Sequence, residues 1–513
     1  MNHYTTIKRT LAVTIATALA LVLGAVTLPT AYAQNTKPLP VTKSLPVKAK
    51  AARSTTVLIY LNGSDLESDA GEATADMAEM LASGVGENTN VVIETLGTRE
   101  WHNYNIASDH TQRYLVKNGK LELVDDSLPQ LDTTAPQTLS DFIAWGTTNY
   151  PADRYVLVMW DHGGGPVYGF GYDEFQDEGA ALTLDEMQQA LAANPNVHFD
   201  IIGMDCCIMG SLETCVALQP YCDYMVLSED FVPGTGWSYQ GWMSELEQNP
   251  TVSSEDLGKM IVDDMISDTV KDPENGEATL ALIDESSVDE LYNAWLNFAY
   301  ENKDSLLANN YSQQTEWRDR PQHATSNKPH GTNGYETNDQ YGDPWHSMDE
   351  NTWNEYGDWG EYGGLEDWTS LWENWGYDGS NVTLTDYNVT DMMSVATSVD
   401  SEASNNLQAA FNDAIVHFGS TSGEEGMSGL AVALPYGDAE FYEQLVKVFS
   451  ACGIDNDYLN WLESFVDVAD TSDYYNPDEG YGFEYEYENE YGNEFGNGYD
   501  PQSTSGFEYT IAA

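Results

Sequence analysis

The sequence contains few basic residues. It has 19 Lys and Arg against 84 Asp and Glu, which gives a formal net charge of −65. Clustered Lys and Arg bind phosphate backbones and anionic lipids, so this composition argues against nucleic acid and anionic membranes as partners. Hydrophobic residues still make up 41% of the 513 residues, too many for a wholly disordered chain. The sequence therefore predicts a strongly acidic globular protein.

Cysteine is also scarce. The five cysteines stand at positions 206, 207, 215, 222 and 452. Their density is far below that of a disulfide-stabilised scaffold, and an odd number leaves at least one thiol unpaired within a monomer. No Cys/His cluster has the spacing of a zinc site, so we expect no metal ligands of that kind.

Long apolar runs are absent beyond the N-terminus. Lys8-Arg9 precede an apolar run over 11–28 and then Ala31-Tyr32-Ala33, the pattern of a secretory signal cleaved after Ala33. The alternative is an N-terminal membrane anchor. No later stretch is apolar enough to span a bilayer. We expect a secreted protein, extracellular or periplasmic, with no membrane insertion after signal removal, and we expect it to be a monomer.

The chain divides by composition behind the predicted signal peptide. Residues 34–54 form a basic Pro/Lys spacer or propeptide, and regular structure is predicted over 55–309. A Trp/Tyr/Gly-rich insertion occupies 310–385, and regular patterns resume over 386–469. The tail at 470–513 is acidic and rich in Tyr and Gly, and we expect it to be disordered because it has too little apolar surface to bury.

Strand and helix patterns alternate within the regular part. Apolar strand patterns occur at 57–61, 90–95, 155–160, 200–204 and 224–227, and Asn118-Gly119 marks a hairpin. Capping boxes at Ser64 and Thr183 predict helix starts, and further helices are predicted over 208–218 and 400–418. Strands that alternate with helices predict βαβ units and a mainly parallel sheet.

Two of these strands run into unusual sequences. One is followed by Asp161-His162-Gly163-Gly164-Gly165 and the other by Asp205-Cys206-Cys207. If the strands are parallel neighbours, an imidazole and a thiol emerge at the same carboxyl edge of the sheet, where α/β proteins place ligands. An imidazole can activate a thiol, and glycine N–H groups can stabilise an oxyanion. From spacing alone, a structural histidine and a buried packing cysteine remain the alternative.

Four ordered segments resemble the clostripain family of cysteine peptidases (clan CD). They are Tyr60 to Glu67 (YLNGSDLE), Trp160 to Gly165 (WDHGGG), Asp205 to Gly210 (DCCIMG) and Pro233 to Trp237 (PGTGW). The resemblance covers roughly 55–310, and 385–468 more loosely. It implies a caspase-like α/β/α sandwich around a mainly parallel sheet.

The resemblance also implies catalytic roles. His162 corresponds to the general base and Cys207 to the nucleophile, while Cys206 occupies a variable position and is expected to be a packing residue. The backbone N–H groups of Gly163 and Cys207 would form the oxyanion hole. The family works with a Cys-His dyad, so no third member is predicted. The implied activity is that of an endopeptidase acting on proteins or peptides through a thioester acyl-enzyme.

Substrate preference is implied less directly. Family members commonly cleave after Arg or Lys, using acidic residues in the pocket, and Asp205 matches one of them. Where the family often has a second acidic residue, this chain has Thr235. Asp230, just upstream, is a candidate to compensate. We therefore expect an Arg or Lys preference at P1, with a relaxed preference as the open alternative.

The resemblance also bears on maturation and metal use. Several family members cut themselves after a basic residue between the His and the Cys, but 155–257 contains no Lys or Arg here. We expect any maturation to remove the spacer instead. No cofactor is expected to be required. Ca²⁺ is left open because acidic segments such as 339–349 offer oxygen ligands, although a solvated acidic loop is the favoured interpretation.

Two further assignments complete the sequence-based picture. His102, His110, His198 and His417 are expected to be structural. The alternative function is a catalytically inactive caspase-like surface or binding protein, whose aromatic insertion makes glycan or protein contacts. Retention of both His162 and Cys207 favours the enzyme.

Overall fold

A computed structural model describes most of the chain between the predicted spacer and the predicted tail. The described residues are 54–176, 180–271, 277–308, 388–424, 426–435 and 438–466. The predicted signal peptide, the spacer up to Arg53, the insertion at 310–385 and the acidic tail lie outside them.

A nine-stranded sheet forms the centre of the described part. Its strands are β1 (Thr55–Asn62), β2 (Thr89–Leu96), β3 (Gln112–Lys117), β4 (Lys120–Asp125), β5 (Arg154–Trp160), β6 (Phe199–Asp205), β7 (Cys222–Leu227), β8 (Thr279–Asp284) and β10 (Ile415–Ser420). The strand order is β10-β8-β7-β6-β5-β1-β2-β3-β4. The five strands from β7 to β2 are parallel, and two antiparallel strands extend each edge. The predicted parallel sheet is thus confirmed at its centre. A separate small sheet pairs β9 (Val389–Asp391) with β11 (Ala431–Ala433).

Helices cover both faces of the sheet. They are α1 (Ser64–Ser68), α2 (Glu72–Ala82), α3 (Pro136–Asn149), α4 (Gly165–Tyr168), α5 (Leu184–Ala192), α6 (Leu212–Leu218), α7 (Gln240–Gln248), α8 (Ser254–Lys271), α9 (Val288–Glu301), α10 (Lys303–Ala308), α11 (Met392–Thr397), α12 (Glu402–Ala414), α13 (Ala439–Cys452) and α14 (Asn456–Val466). One layer contains α2, α7 and α8, and the other contains α3, α5, α6, α9, α12 and α13. The result is the predicted α/β/α sandwich.

The central strands are apolar because they are covered on both sides. All eight residues of β1 are buried, and β5 and β6 are buried along almost their whole length. A strand enclosed between two helical layers has no solvated face, so it has a continuous apolar run rather than an alternating one. This is why the strand patterns at 57–61 and 155–160 were readable from the sequence.

Local signals predicted some element boundaries correctly. Thr183 and Glu186 form the predicted capping box at the start of α5. The hairpin predicted around Asn118-Gly119 joins β3 to β4. Asn118 and Gly119 both have positive φ, 51° and 70°, as a tight two-residue turn requires.

Three local predictions are wrong. The helix predicted over 400–418 ends at Ala414, because the β-branched pair Ile415-Val416 begins edge strand β10. The helix predicted from Ile208 begins at Leu212, since Ile208 has a φ of 62° and Ser211 caps the helix. Apart from these wrong predictions, the sequence patterns missed one element, strand β8.

The capping box predicted at Ser64 is the third wrong assignment. Ser64 lies inside α1, and its hydroxyl donates to Asp161 instead of capping the helix. The Glu67 carboxylate accepts hydrogen bonds from Thr74 and from the backbone of His102. Both polar side chains therefore satisfy tertiary partners, which the sequence pattern alone does not distinguish from a cap.

Buried carboxyl groups attach the late segment to the core. The Glu229 carboxyl accepts hydrogen bonds from the backbone N–H groups of Ser428 and Gly429. The Ser428 hydroxyl donates to Asp391. These contacts fix the small β9–β11 sheet against the loop that follows β7. No helix in the described ranges is long and apolar enough to cross a membrane.

Candidate active site

The candidate site lies where two adjacent parallel strands end. β5 and β6 are paired from Val156 opposite Ile201 to Trp160 opposite Asp205. His162 and Cys207 each follow two residues beyond the last pair, so the register places them at the same edge of the sheet. Both side chains line one cleft. The cleft is lined by Leu66, Trp160, Asp161, His162, Asp205, Cys206, Cys207, Val232, Pro233, Gly234 and Gly236.

The two strand-end loops touch through their backbones at Gly163. A Cβ atom at this position would collide with the carbonyl oxygen of Cys207. Only glycine permits such a close approach. Within the described residues, the N–H groups of Gly163 and Cys207 donate to no backbone carbonyl. The two amides predicted to form an oxyanion hole therefore lie on adjoining loops and are not engaged by the backbone.

Backbone strain follows directly after the cysteine. Ile208 has a φ of 62°, a conformation that costs a β-branched residue about 1–3 kcal/mol. This backbone conformation is maintained by full burial of the Ile208 side chain and by a 2.9 Å hydrogen bond from the Ile208 N–H to the Asp230 carbonyl. The chain consequently turns sharply between β6 and α6, with Cys207 at the turn.

His162 contacts a carboxylate that sequence reasoning did not predict. Its Nε2 lies 2.7 Å from Oδ1 of Asp65, which belongs to α1 just after β1. The imidazole is 3% exposed and the carboxylate 44%. Burial acts to raise the pKa of Asp65, but the hydrogen bond and charge of His162 outweigh it and the pKa is lowered. The Tyr172 ring lies edge-on to the imidazole, with the ring centroids 6.5 Å apart.

Asp161 connects the β1 loop to the β5 loop. Its carboxyl accepts hydrogen bonds from the Asn62 amide, from the Ser64 hydroxyl at 2.7 Å and from the Tyr172 N–H at 2.6 Å. Burial raises the pKa of Asp161 to about 7, against the lowering influence of the neighbouring His162. This network explains why Tyr60 to Glu67 and Trp160 to Gly165 occur together as motifs: the first holds the second in place.

The Cys207 thiol is enclosed in this structure. It is 4% exposed, and the Val232 N–H points at Sγ from 3.3 Å. Burial raises the pKa of Cys207 to about 12, an effect that the Val232 N–H partly offsets and that the charges of Asp230 and Asp205 reinforce. Cys206 is similarly buried, at 3% exposed, and it also lines the cleft.

The three predicted specificity residues lie in different environments. Asp205 lines the cleft, is 3% exposed, and accepts hydrogen bonds from the Trp237 N–H and the Tyr239 hydroxyl. Burial raises the pKa of Asp205 to about 7. Thr235 is exposed and does not line the cleft. Asp230 also lies outside the lining, and its carboxyl is hydrogen-bonded to Glu424. The structure therefore brings only Asp205 to His162 and Cys207.

The remaining predicted structural histidines lie in separate polar contacts. The ring of His102 contacts the Ser68 carbonyl, and those of His110, His198 and His417 contact aspartates. Across the described ranges, no group of three or more His, Cys, Asp or Glu side chains is arranged to hold a metal ion. The segment 339–349 lies outside those ranges. All five cysteines are described, and each is a free thiol.

Comparison with known proteins supports the motif assignment. The profile of the clostripain family matches residues 59–431. Clostripain from Hathewaya histolytica is 25% identical over 173 residues, a match that covers 28% of this chain and 32% of that protein. The chain thus matches about a third of the length of this curated relative.

Solved structures show the same fold at low sequence identity. A secreted C11 cysteine protease from Bacteroides thetaiotaomicron, in complex with an irreversible peptide inhibitor, superposes with a TM-score of 0.50 and 17% identity over 78% of this chain and 99% of that one. An inactive zymogen C11 protease from Parabacteroides distasonis gives a TM-score of 0.51 and 17% identity over 81% and 99% of the two chains. The profile match over most of the chain establishes the assignment: this protein belongs to the clostripain family, the cysteine peptidases that its four motifs predicted.

Proposed function

We propose that this protein is a secreted cysteine endopeptidase that cleaves proteins or peptides with Cys207 as nucleophile and His162 as general acid and base. The observation that carries the proposal is the convergence of His162 and Cys207 in one cleft, at the ends of the paired strands β5 and β6. Backbone contact at Gly163 adds an adjoining pair of amides. A thiol, an imidazole and backbone N–H groups around one cleft are the parts that acyl transfer requires.

The reaction proceeds in two acyl-transfer steps. The Cys207 sulfur attacks the peptide carbonyl carbon, and its proton passes to His162. The resulting oxyanion is stabilised by the N–H groups of Gly163 and Cys207. His162 then protonates the departing amine as the C–N bond breaks, which leaves a thioester. Water, deprotonated by His162, hydrolyses the thioester and releases the acid and the free thiol.

The cleft favours a basic P1 residue through Asp205. This carboxyl is the acidic lining residue closest in sequence to the nucleophile, and it lies on the strand that carries Cys207. A Lys or Arg side chain would stabilise its charged form, which burial disfavours. Because Thr235 stands where a second acidic residue is common, and because Asp230 bonds to Glu424, the preference rests on one carboxyl and is relaxed.

Secretion, oligomeric state and metal use complete the proposal. We propose export through the signal at 1–33, action as a monomer outside the cytoplasm, and no required cofactor. Size-exclusion chromatography coupled to light scattering tests the monomer. Titration with a chelator and then with Ca²⁺ tests the metal: restoration of chelator-sensitive activity by Ca²⁺ alone would contradict cofactor independence.

A paired cysteine substitution tests the enzymatic function. Purified protein, Cys207→Ala and Cys452→Ala are compared on casein and on a peptide library. Loss of the nucleophile is expected to lower kcat by about 10³-fold or more. Cys452→Ala removes a free thiol outside the cleft lining and is expected to retain activity. If Cys207→Ala cleaves as fast as the unchanged protein, the nucleophile assignment is wrong. If the unchanged protein cleaves no substrate, the non-catalytic binding function is favoured.

A further inference from the structure

Among the histidine–aspartate contacts of the described residues, the His162–Asp65 contact has the most buried imidazole, and that imidazole lines the cleft. In the His198–Asp223 pair both side chains are more than half exposed, at 53% and 58%. His162 is 3% exposed, so its ring orientation is set by the protein rather than by water. The imidazole lines the cleft, and one of its ring nitrogens, Nε2, is hydrogen-bonded to the Asp65 carboxylate at 2.7 Å.

We propose that Asp65 is a positioning residue, which holds the His162 imidazole with the proton on Nε2 and leaves Nδ1 as the nitrogen that exchanges protons with the reacting groups. This inference rests on the proposed peptidase function. It adds a residue to the dyad and assigns each ring nitrogen a task. Asp65 acts through His162 and does not itself touch the substrate.

The assignment of the nitrogens follows from hydrogen-bond chemistry. An ionised carboxylate can only accept, so the ring nitrogen facing Asp65 must carry a hydrogen. A neutral imidazole has a single N–H, and its other nitrogen is then the lone-pair acceptor. When His162 takes a proton it becomes a cation with both nitrogens protonated, and the carboxylate beside Nε2 stabilises that charge. Asp65 therefore favours both the correct neutral tautomer and the charged intermediate form.

The surrounding chain holds Asp65 in place. Ser64 has a φ of 46°, and its hydroxyl donates to Asp161, the residue immediately before His162. The N–H of Gly63 donates to the carbonyl of Leu96 at 2.9 Å. Asp65 thus follows a strained turn at the end of β1 that two hydrogen bonds hold in place. Backbone strain of this kind is often found at functional sites.

The other titratable groups around His162 have different partners. Asp161 lies on the same strand end, and its carboxyl is engaged by Asn62, Ser64 and Tyr172. Cys207 and Asp205 face the cleft from the β6 side, and Asp205 is bonded to Trp237 and Tyr239. Asp65 lies within hydrogen-bonding distance of the imidazole, with its Oδ1 2.7 Å from Nε2.

The test uses Asp65→Asn, Asp65→Glu and a matched control. Asp263→Asn is the control because His417 and Asp263 form a similar contact, 2.6 Å long with a 41% exposed aspartate, outside the cleft lining. Asp65→Asn is expected to lower kcat about 10- to 100-fold with little change in KM, since the neutral amide does not stabilise the imidazolium and its NH2 group can support the opposite tautomer. The limb of the pH profile that follows protonation of His162 should move to lower pH. Asp65→Glu restores part of kcat, and Asp263→Asn stays within about twofold of the unchanged protein.

A spectroscopic measurement keeps the inference falsifiable if the variants lose activity for structural reasons. The ¹⁵N chemical shifts of His162 in the intact protein report which nitrogen carries the proton. Protonated Nε2 with lone-pair Nδ1 is expected, and the opposite tautomer overturns the proposal. An unchanged kcat and pH profile in Asp65→Asn overturns it as well, as does an equal loss in Asp263→Asn. Failure of the peptidase function is recognised separately, because activity would then be absent from the unchanged protein or insensitive to Cys207→Ala.

Discussion

The backbone nitrogen of Val232 lies 3.3 Å from Sγ of Cys207, and the Val232 carbonyl oxygen lies 3.7 Å from the same sulfur. The segment after β7 therefore covers the proposed nucleophile with main-chain atoms. Cys207 is 4% exposed beneath these atoms, so its thiol has little contact with solvent.

Protection of Cys207 predicts slow alkylation. At pH 7 we expect iodoacetamide to modify Cys207 more slowly than Cys452. Burial raises the pKa of both thiols to about 12, but Cys207 is 4% exposed whereas Cys452 is partly exposed. The rate at Cys207 should rise as the pH approaches 10. Peptide mapping by mass spectrometry measures both sites, with denatured protein as the control in which all five cysteines react. Selective modification of Cys207 at pH 7 would show that the loop is open in the resting protein.

Replacing Thr235 by Asp is predicted to sharpen the P1 preference. The residue follows Pro233 and Gly234, which line the cleft, so a carboxylate there adds a second negative charge near the entrance. An exposed charge pair contributes up to about 1 kcal/mol, which corresponds to a roughly fivefold increase in kcat/KM for Arg over Leu. Thr235→Asn is the uncharged control. The basic preference itself is contradicted if the unchanged protein cleaves after Arg, Lys, Asp and Leu equally well.

Gly163→Ala is predicted to damage both stability and catalysis. A methyl group would meet the Cys207 carbonyl, so the two strand-end loops must move apart at a cost of about 1–3 kcal/mol. Thermal unfolding should show a lower Tm, and kcat should fall more than KM changes. Gly84→Ala is the control, because a Cβ at Gly84 would meet no atom within 4 Å and the substitution is disfavoured only by the backbone φ of 76°. We expect Gly84→Ala to cost about 1 kcal/mol and to leave kcat unchanged. Equal effects on kcat in the two variants would contradict the role of the close approach.

The buried carboxyl groups predict a stability optimum at mildly acidic pH. Burial raises the pKa of Glu229 well above its usual value, as does the charge of Asp391, and burial raises the pKa of Asp205 and Glu213 to about 7. These groups bind more protons in the folded state than in the unfolded state. Their contribution to stability is complete below about pH 4.5 and is lost as the pH rises through their folded pKa values.

The substitution Glu229→Gln tests whether the buried carboxyl groups lower stability as the pH rises. Glutamine resembles the protonated carboxyl and can keep the acceptor for Ser428 and Gly429, so the variant should match the unchanged protein near pH 5 and unfold at a higher temperature near pH 8. Glu255→Gln, in a surface pair with Lys259, should leave the pH slope unaltered. A Tm of the unchanged protein that increases steadily from pH 5 to pH 8 would contradict the prediction.

Maturation is predicted to leave the catalytic region uncut. No Lys or Arg occurs over 155–257, whereas Lys48, Lys50 and Arg53 stand in the spacer. An enzyme that prefers a basic P1 residue has preferred cleavage sites in its spacer and none between His162 and Cys207. N-terminal sequencing of the purified protein measures the outcome. A new N-terminus between 163 and 206 would contradict both the maturation route and the strict form of the P1 preference.

Sequence patterns predicted the parts of the protein that depend on local composition. The runs of β1 and β5 were readable because both faces are buried, and the strand-end positions of His162 and Cys207 followed from the order of the elements. Strand β10 was not readable, because it lies at an edge of the sheet, has the polar His417 between apolar residues and ends in Gly419 and Ser420. Its extended conformation is set by pairing with β8, far away in the sequence.

The missed site contacts are non-local as well. Asp65 reaches His162 because β1 pairs with β5, across 97 positions of sequence. Val232 covers Cys207 because the segment after β7 folds back over the β6 edge. Asp230, predicted as a specificity residue, bonds instead to Glu424, about 190 positions later. Composition shows none of these relationships, since each depends on sheet register.

The pairing of β5 with β6 has a consequence for chain integrity. Five residue pairs, from Val156–Ile201 to Trp160–Asp205, hold the strand that carries the imidazole against the strand that carries the thiol. The covalent connection between the two strands is not what brings the reactive groups together. Two separately produced pieces, divided in the connection between α4 and α5, are therefore expected to assemble through this strand pairing when they are mixed.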